Sequence, residues 1–274
     1  MEEPFRVRRD AFMGKVRRRP VVMGILNVTP DSFFDGGRFQ DIAAAVSHAN
    51  KLAADGCDIV DIGGESARPG AVPVSPTDEL ARLEPVVAEL TRLTDVPLSI
   101  DTTKAQVAAR ALQLGAVAVN DVWGLQNDPA MAEVVAAAEA VLVIMHNRTE
   151  KDDTIDIMAD IRRFFDRSLG LANKAGIARE RIILDPGIGF GKTSRQNRDA
   201  IARLGELKDY RLPILIGASR KSFLGSLTDG SEGSLIGTVA ASLAAAAGGA
   251  SLFRVHDVAE HVAALKVFHA IRQT

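Results

Sequence analysis

Short apolar runs recur along the chain, and each interval between them is long enough to hold a helix. The runs are nearly continuous rather than alternating, which is typical of strands buried on both faces of a parallel sheet. Eight strands are predicted, over residues 21–26, 59–62, 98–100, 117–119, 141–145, 182–184, 214–216 and 252–255. Helical patterns follow these strands, over residues 42–55, about 76–93, 104–114, 129–139, 156–175, 197–207, 222–247 and 258–272.

The alternation of strands and helices predicts the fold class. Ser75-Pro76 and Asp128-Pro129 place a proline near the first helical position, where its missing N–H is tolerated. Eight strands alternating with eight helices predict an α/β fold, either a (β/α)8 TIM barrel or a doubly wound sheet, and the count favours the barrel. We expect a single barrel domain over residues 21–274 and a short N-terminal extension over residues 1–20.

Composition and charge exclude several classes of function. The net charge of -2 gives no global field that would attract nucleic acid or an anionic membrane. Cys57 is the single cysteine, which rules out an internal disulfide and a cysteine zinc site. The basic extension is not followed by the apolar run of a signal peptide, and no segment reaches the roughly 20 apolar residues of a membrane span. We therefore expect a cytoplasmic protein.

Polar residues follow all eight predicted strands at their carboxyl ends, where barrel enzymes carry their active sites. Asp101, Asn120 and Asp185 follow strands three, four and six. Their acceptors and donors suit a buried, nitrogen-rich heterocycle, whose amino and ring N–H groups need partners. Asp101 and Asp185 also have a structural interpretation, because an aspartate that precedes a helix is a good N-cap.

The same end of the predicted barrel has candidates for an anion and for a metal ion. Arg254 and His256 follow strand eight just before a helix, and we interpret them as a cationic pair that binds phosphate or diphosphate. Asn27 follows strand one and has acidic neighbours, so it is a candidate oxygen ligand for a hard cation such as Mg2+. A turn-forming asparagine is the structural alternative.

Several longer motifs identify the chain as similar to dihydropteroate synthases. The matching segments are residues 27–37, 63–70, Asp101, 120–121, 185–192, 219–222 and 254–256. They occur in the family's order and cover roughly residues 20–272. The resemblance implies a transferase of folate biosynthesis that condenses 6-hydroxymethyl-7,8-dihydropterin diphosphate with 4-aminobenzoate and is the target of sulfonamides. It also implies a pterin-binding barrel, Mg2+ and a homodimer.

The resemblance assigns roles to particular residues. The pterin would be held by Asp101, Asn120, Asp185, Lys221, Met145, Phe190 and Gly217. The diphosphate would be bound by Ala67, Arg68, Arg254 and His256. The aminobenzoate would be surrounded by Phe33, Arg68, Pro69, Phe190, Lys221 and Ser222. Asn27 would hold Mg2+, and the catalytic residues would be Asp35, Lys221, Arg254 and His256.

The phenylalanines of the first loop are explained if that loop is a lid over an aromatic substrate. Closure would exclude water that could capture an electrophilic methylene carbon. Two residues depart from the commonest family pattern. Ala67 replaces a threonine, which removes a hydroxyl contact near the diphosphate, and Phe34 replaces a serine, which makes the lid more apolar.

Other interpretations of the motifs are open or disfavoured. Residues 187–193 resemble a nucleotide P-loop, but Pro186 stands where the first glycine should be. His146 and Trp123 fit either a site wall or a structural role. A methyltransferase that uses methyltetrahydrofolate would share the pterin residues but has no need of a diphosphate site. A barrel that binds without turnover is the other alternative, and Ala67 leaves it open.

Overall fold

The computed structural model describes residues 3–29, 38–65, 72–225, 227 and 234–272, and the side chains of residues 38–41 are excluded from that description. Eight parallel strands alternate with helices along the chain. The strands are β1 (Val21–Asn27), β2 (Ile59–Gly63), β3 (Leu98–Asp101), β4 (Ala118–Asp121), β5 (Val141–Met145), β6 (Ile182–Asp185), β7 (Leu215–Ile216) and β8 (Leu252–Val255). Each observed strand has at least one end within one residue of the corresponding end of the predicted strand.

The strands form one sheet that curls round on itself. Its order is β6-β5-β4-β3-β2-β1-β8-β7, and every neighbouring pair is parallel. A parallel bridge between Leu184 and Ile214 joins β6 to the start of β7. That bridge brings the two ends of the sheet together, so the fold is the predicted (β/α)8 barrel and not a doubly wound sheet.

The described helices surround this barrel. They are α1 (Glu3–Val16), α2 (Arg38–Ala54), α3 (Pro76–Leu93), α4 (Ala105–Gln113), α5 (Met131–Ala137), α6 (Ile157–Lys174), α7 (Ser194–Ala202), α8 (Ser222–Gly225), α9 (Leu235–Gly248) and α10 (Val258–Arg272). Two 3-10 segments, Arg179–Arg181 and Leu204–Tyr210, precede β6 and β7. Ser75 caps α3 as predicted, because its side chain accepts a hydrogen bond from the amide of Asp78. No described helix combines the length and apolar character needed to cross a membrane.

Two predicted helices each correspond to two separate segments in the structure. The helix predicted over 197–207 is α7 followed by the 3-10 segment Leu204–Tyr210. The helix predicted over 222–247 is two helices, α8 and α9. The first of them ends at Gly225, and glycine has a low helix propensity. Ser234 then starts α9, because its Oγ accepts a hydrogen bond from the amide of Gly237 at 3.0 Å.

The N-terminal extension forms α1, which lies at the amino end of the barrel. Phe12, Met13 and Val16 are buried in the hydrophobic core. Beyond the helix, Arg19 donates two hydrogen bonds to Asp58, the residue before β2, at 3.0 and 2.6 Å. The extension therefore contacts the end of the barrel opposite to the predicted site. The division of the chain at residue 20 stays a prediction.

Candidate functional site

The carboxyl ends of neighbouring strands bring predicted site residues side by side. In the register of the sheet, Asn27 lies beside Gly63, Gly63 beside Asp101, and Asp101 beside Asn120. These four residues end β1 to β4 or lie next to their ends. The polar residues that end the strands in the sequence therefore lie together at one mouth of the barrel.

Arg254 is the centre of a charged cluster inside this mouth. Its Nε donates to Asp61 Oδ2 at 2.6 Å, and its Nη2 donates to Asp101 Oδ2 at 2.6 Å. Asn120 Nδ2 also donates to Asp61 Oδ2, at 3.0 Å. Within the described part of the chain, Asp61 Oδ1 and Asn120 Oδ1 are buried without a hydrogen-bond partner. The cluster thus combines a fixed cation with acceptors that a donor-rich ligand could use.

Burial perturbs the ionisation of this cluster. It raises the pKa of Asp101, while the Arg254 guanidinium opposes that shift. Burial also lowers the pKa of Arg254, but Asp61 and Asp101 more than offset this and leave it raised. Arg254 is therefore a permanent cation, and its two carboxylates compensate its charge.

Asp185 ends β6 and completes the predicted set of heterocycle ligands. It is buried and in register with Met145, which is also buried. A Cβ added at Gly217 would lie 3.9 Å from both Asp185 Oδ2 and Arg254 Cβ, so glycine leaves space between the two side chains. Burial raises the pKa of Asp185 to about 6. Among the described residues neither Asp185 nor Asp101 caps a helix, since Asp185 Oδ1 instead accepts from the amide of Gly187 at 2.7 Å.

Lys221 and Phe190 come from different loops and meet at the same mouth. Lys221 Nζ lies 4.2 Å from the centroid of the Phe190 ring, which is a cation–π distance. Burial lowers the pKa of Lys221 to about 8. Ser222, the first residue of α8, is exposed directly after Lys221. An aromatic face, an ammonium group and a hydroxyl-bearing residue therefore border the cluster.

His256 differs from the predicted cation. Burial, followed by the charges of Arg220 and Arg254, lowers the pKa of His256 to about 4. In the free protein, burial and the neighbouring cations therefore favour a neutral imidazole. The assignment of His256 to the diphosphate stays a prediction. Ser219 Oγ lies 2.9 Å from its Nδ1, and the same oxygen accepts from the His256 amide at 3.2 Å. If the Ser219 hydroxyl donates to Nδ1, Nε2 carries the proton and is a donor for an anion.

Asn27 lies where a metal ligand would be expected. A Cβ at Gly63 would lie 3.8 Å from Asn27 Oδ1 and 3.7 Å from Asp101 Oδ2, so these two oxygens flank the same backbone position. Among the described residues there is no group of three or more His, Cys, Asp or Glu side chains that could hold a metal ion. A hard amide oxygen fits Mg2+, which typically takes one or two protein ligands and completes its shell with substrate phosphates and water.

Part of the predicted site lies outside the described residues. These residues are Phe33, Phe34, Asp35, Ala67, Arg68 and Pro69. Glu65, the last described residue before Ala67, Arg68 and Pro69, makes an ion pair with Lys104. Lys104 also contacts the fully buried Glu79 at 2.5 Å.

Two residues that organise the site were not predicted from the sequence. Asp61 has no predicted role, and Ser219 falls only within the matching segment 219–222. The structure shows Asp61 bonded to Arg254 and Ser219 bonded to His256. A signal existed for Asp61, because a carboxylate inside an apolar strand needs a buried partner.

The structure also excludes a P-loop role for Lys192. Its ammonium is buried and donates to the carbonyl oxygens of Gly187 and Phe190, so it does not point to a phosphate. His146 is buried beside it, with its ring nitrogens 2.8 Å from Lys192 Nζ and 3.2 Å from Asp160 Oδ2. His146 is therefore part of a buried polar group behind the site.

Comparisons with known proteins agree with this geometry. The model of the pterin binding enzyme family matches residues 23–256. A dihydropteroate synthase from Synechocystis is 44% identical over 262 residues, which cover 93% of this chain and 91% of that protein.

Two solved structures match at similar levels of identity. A dihydropteroate synthase from Clostridium difficile, solved in the presence of pteroic acid, has a TM-score of 0.91 and 45% identity, covering 94% of this chain and 98% of that one. A second, from Xanthomonas albilineans with 4-aminobenzoic acid, has a TM-score of 0.90 and 44% identity, covering 94% of both chains. This chain therefore belongs to the pterin-binding enzyme family and, within it, to the dihydropteroate synthases.

Proposed function

We propose that this chain joins 6-hydroxymethyl-7,8-dihydropterin diphosphate to 4-aminobenzoate and releases 7,8-dihydropteroate and diphosphate for folate biosynthesis. The observation that carries the proposal is the buried cluster in which Asp101 and Asn120 lie beside Arg254, at the mouth that also holds Asp185. Pteroic acid, present with the Clostridium difficile relative, joins a pterin to an aminobenzoate as the proposed product does.

The pterin binds to the buried polar residues. Asp185 and Asp101 accept hydrogen bonds from the amino group and ring N–H groups, and Asn120 adds the carbonyl oxygen that lacks a partner among the described residues. Gly217 leaves space for a flat ring, and the buried Met145 gives it an apolar wall. Lys221 and Phe190 lie at the border between the pterin and the second substrate.

The diphosphate binds beside the pterin. Arg254 supplies a permanent positive charge, and His256 supplies a neutral N–H donor that is oriented by Ser219. Arg68 and the backbone of Ala67 complete this part of the site. A neutral imidazole that meets developing negative charge can also take up a proton, because an adjacent anion raises its pKa.

The chemical step is a substitution at the methylene carbon of the pterin. The amine nitrogen of 4-aminobenzoate forms the new C–N bond as the C–O bond to diphosphate breaks. The electron pair of that C–O bond stays on the leaving diphosphate, and the nitrogen then loses a proton to solvent. An arylamine is already unprotonated at neutral pH, so the protein contributes positioning and stabilises the leaving charge.

Asn27 is the residue that would hold Mg2+ through its amide oxygen. Bound Mg2+ would supply positive charge that offsets the charge of the leaving diphosphate. The single hard ligand supports this assignment, because such a site depends on the substrate's own oxygens to complete it.

We expect the segments 27–37 and 63–70 to contact the aminobenzoate. Phe33 and Pro69 form apolar walls, Arg68 and Ser222 bind the carboxylate, and Asp35 faces the positive charge that develops at the pterin methylene. Sulfonamides carry the same aminophenyl group, so they compete for this part of the site. The position of Ser222 beside Lys221 supports its assignment.

Two alternatives are less well supported. A methyltransferase that uses methyltetrahydrofolate has no use for a diphosphate donor set, so the Arg254 and His256 arrangement disfavours it. A barrel that binds without turnover is disfavoured because Lys221, Arg254 and His256 are all present at the mouth. Diphosphate release that depends on the arylamine distinguishes the synthase from both.

The chain forms a homodimer in this proposal, and it acts in the cytoplasm. Ile236 on α9 is 82% exposed and Val267 on α10 is 60% exposed. The two helices contact one another, so these side chains support an apolar face near the carboxyl end of the chain. Sedimentation velocity would test it, since Ile236→Lys should convert the dimer to a monomer.

The test of the activity is diphosphate release with Mg2+, the dihydropterin diphosphate and 4-aminobenzoate. Release by the wild type should require the arylamine. Arg254→Ala and Asp185→Asn should each reduce kcat/KM by about a hundredfold or more, whereas Lys174→Met on the surface of α6 should not change it. Tight pterin binding by the wild type without any release would contradict the proposal.

A further inference from the structure

Lys192 is a buried cation in the loop that follows β6, and only 2% of its surface is exposed. Its Nζ lies 2.7 Å from the carbonyl oxygen of Gly187, 3.1 Å from that of Phe190 and 2.8 Å from His146 Nδ1. Burial lowers the pKa of Lys192 to about 7, but an ammonium group has three donors and here each has one acceptor, so the surroundings fit the protonated form. Nζ is therefore positioned by a complete set of hydrogen bonds rather than by a contacting carboxylate.

His146 links this ammonium to Asp160 on α6. Asp160 makes ion pairs with Arg163 at 2.8 Å and with Arg148 at 3.3 Å. Its hydrogen bond with His146 is the largest of the causes that lower the pKa of Asp160 to about 2. An ionised carboxylate only accepts, so His146 Nε2 carries the proton and donates to it. Nδ1 then accepts from Lys192. Each hydrogen bond between the β6 loop and α6 therefore has a defined donor: Lys192 donates to His146, and His146 donates to Asp160.

The β6 loop lies directly against the chain that follows β5. Gly187 has φ +68, and a Cβ there would be 1.9 Å from the carbonyl oxygen of His146. Gly191 has φ +57, and a Cβ there would be 2.4 Å from the carbonyl oxygen of Arg148. Side chains at these two positions cannot hold the loop in place. Lys192 instead ties two of its carbonyl groups to His146.

The two carbonyl groups belong to residues that define the site. The amide of Gly187 donates to Asp185 Oδ1 at 2.7 Å, which orients the carboxylate proposed to hold the pterin. The ring of Phe190 lies 4.2 Å from Lys221 Nζ. A shift of the loop would therefore move both Asp185 and Phe190 relative to the opposite wall of the barrel.

We infer that Lys192 is a positioning residue for the pterin, and that His146 and Asp160 hold it in place behind the site. Lys192 does not touch the substrate and acts through the backbone of Gly187 and Phe190. The inference rests on the proposed function, since it assumes that Asp185 binds a pterin.

The test separates the pterin part of the site from the diphosphate part. Binding of 6-hydroxymethylpterin, which lacks the diphosphate, and binding of inorganic diphosphate with Mg2+ are each measured by calorimetry. Lys192→Met should raise the Kd for the pterin about tenfold and leave the Kd for diphosphate within about twofold, because Arg254 lies on β8 and His256 directly follows that strand. Lys174→Met, an exposed lysine of α6, is the matched control and should change neither Kd.

A second pair of variants tests the link without removing the lysine. His146→Gln keeps an acceptor for Lys192 and a donor for Asp160, whereas His146→Leu removes both. His146→Gln should bind pterin nearly as well as the wild type, and His146→Leu should match Lys192→Met. This pair decides the question if Lys192→Met does not fold.

Several outcomes would overturn the inference. Unchanged pterin binding in Lys192→Met or His146→Leu would show that the loop holds its shape without the link. Equal weakening of pterin and diphosphate binding would indicate a general loss of structure. Equal effects of His146→Gln and His146→Leu would show that the hydrogen bonds of His146 are not needed. Failure of the wild type to bind pterin would instead contradict the proposed function.

Discussion

Asp61→Asn tests how the site holds its central cation. Asp61 is fully buried, accepts from Arg254 Nε at 2.6 Å and accepts from Asn120 at 3.0 Å. Asparagine has nearly the same shape, so the variant removes a charge without leaving a cavity. Arg254 keeps its contact with Asp101 at 2.6 Å, so it loses only one of the two carboxylates that balance its charge.

The expected loss of stability follows from this geometry. Removing one partner of a buried ion pair costs about 3–5 kcal/mol. We expect a loss at the lower end of this range, about 3 kcal/mol, because Arg254 keeps the carboxylate of Asp101 and gains the amide oxygen of the new asparagine as an acceptor. For domains of this size each kcal/mol lowers Tm by roughly 2–4 °C, so a decrease of roughly 6–12 °C is expected.

The expected loss of activity is larger than a general destabilisation would give. Arg254 is proposed to stabilise the leaving diphosphate, and asparagine at 61 leaves it free to tilt towards Asp101. We expect kcat/KM for the dihydropterin diphosphate to fall by about a hundredfold, which corresponds to about 2.7 kcal/mol of transition-state stabilisation. Steady-state diphosphate release at a temperature well below Tm measures this loss.

Asp58→Asn is the matched control. Asp58 lies three positions earlier in the chain and is also buried beneath an arginine, since Arg19 Nη2 contacts it at 2.6 Å and Lys15 at 3.2 Å. It lies at the other end of the barrel, so its loss should lower Tm but leave kcat/KM unchanged. If both variants reduced kcat/KM equally, or if Asp61→Asn had full activity, the positioning of Arg254 by Asp61 would be refuted.

Three further predictions concern ionisable groups. Because burial raises the pKa of Asp185 to about 6, this carboxylate gains a proton as the pH falls through about 6; pterin affinity should fall there, and calorimetry with Asp185→Asn should show weaker binding without that step. Burial lowers the pKa of His146 from 6.5 to about 4, so its contribution to the free energy of unfolding is complete above 6.5 and is lost as the pH falls towards 4. Denaturant titrations should show a shallower pH slope in this range for His146→Gln. Lys104→Met leaves the fully buried Glu79 without its contact at 2.5 Å and should cost about 3–5 kcal/mol, which Glu79→Gln in the same chain should largely restore.

The barrel was predictable because its strands are buried on both faces. Runs such as 141–145 have to be apolar throughout, and they are therefore visible without any knowledge of tertiary structure. The carboxyl ends of β1, β3, β4 and β6 were predictable for the same reason, since a polar residue ends the apolar run. The break between α8 and α9 was missed because an apolar helical pattern continues on both sides of it.

The side-chain partners within the site were not predictable. Arg254 and Asp61 are 193 positions apart, and strand periodicity does not determine which of several carboxylates a long guanidinium contacts. The lowered pKa of His256 was not predictable either, because it depends on burial and on the charges of Arg220 and Arg254. The link from Lys192 to His146 likewise depends on how closely the β6 loop lies against the residues after β5.

The most direct test of the proposed reaction follows the arylamine nitrogen into the product. The wild-type chain is incubated with Mg2+, the dihydropterin diphosphate and 15N-labelled 4-aminobenzoate. The products are then separated, and their masses are measured by mass spectrometry. The account predicts labelled 7,8-dihydropteroate together with an equal amount of diphosphate. Diphosphate accompanied only by hydroxymethyl-dihydropterin, or no turnover of a bound pterin, would contradict it.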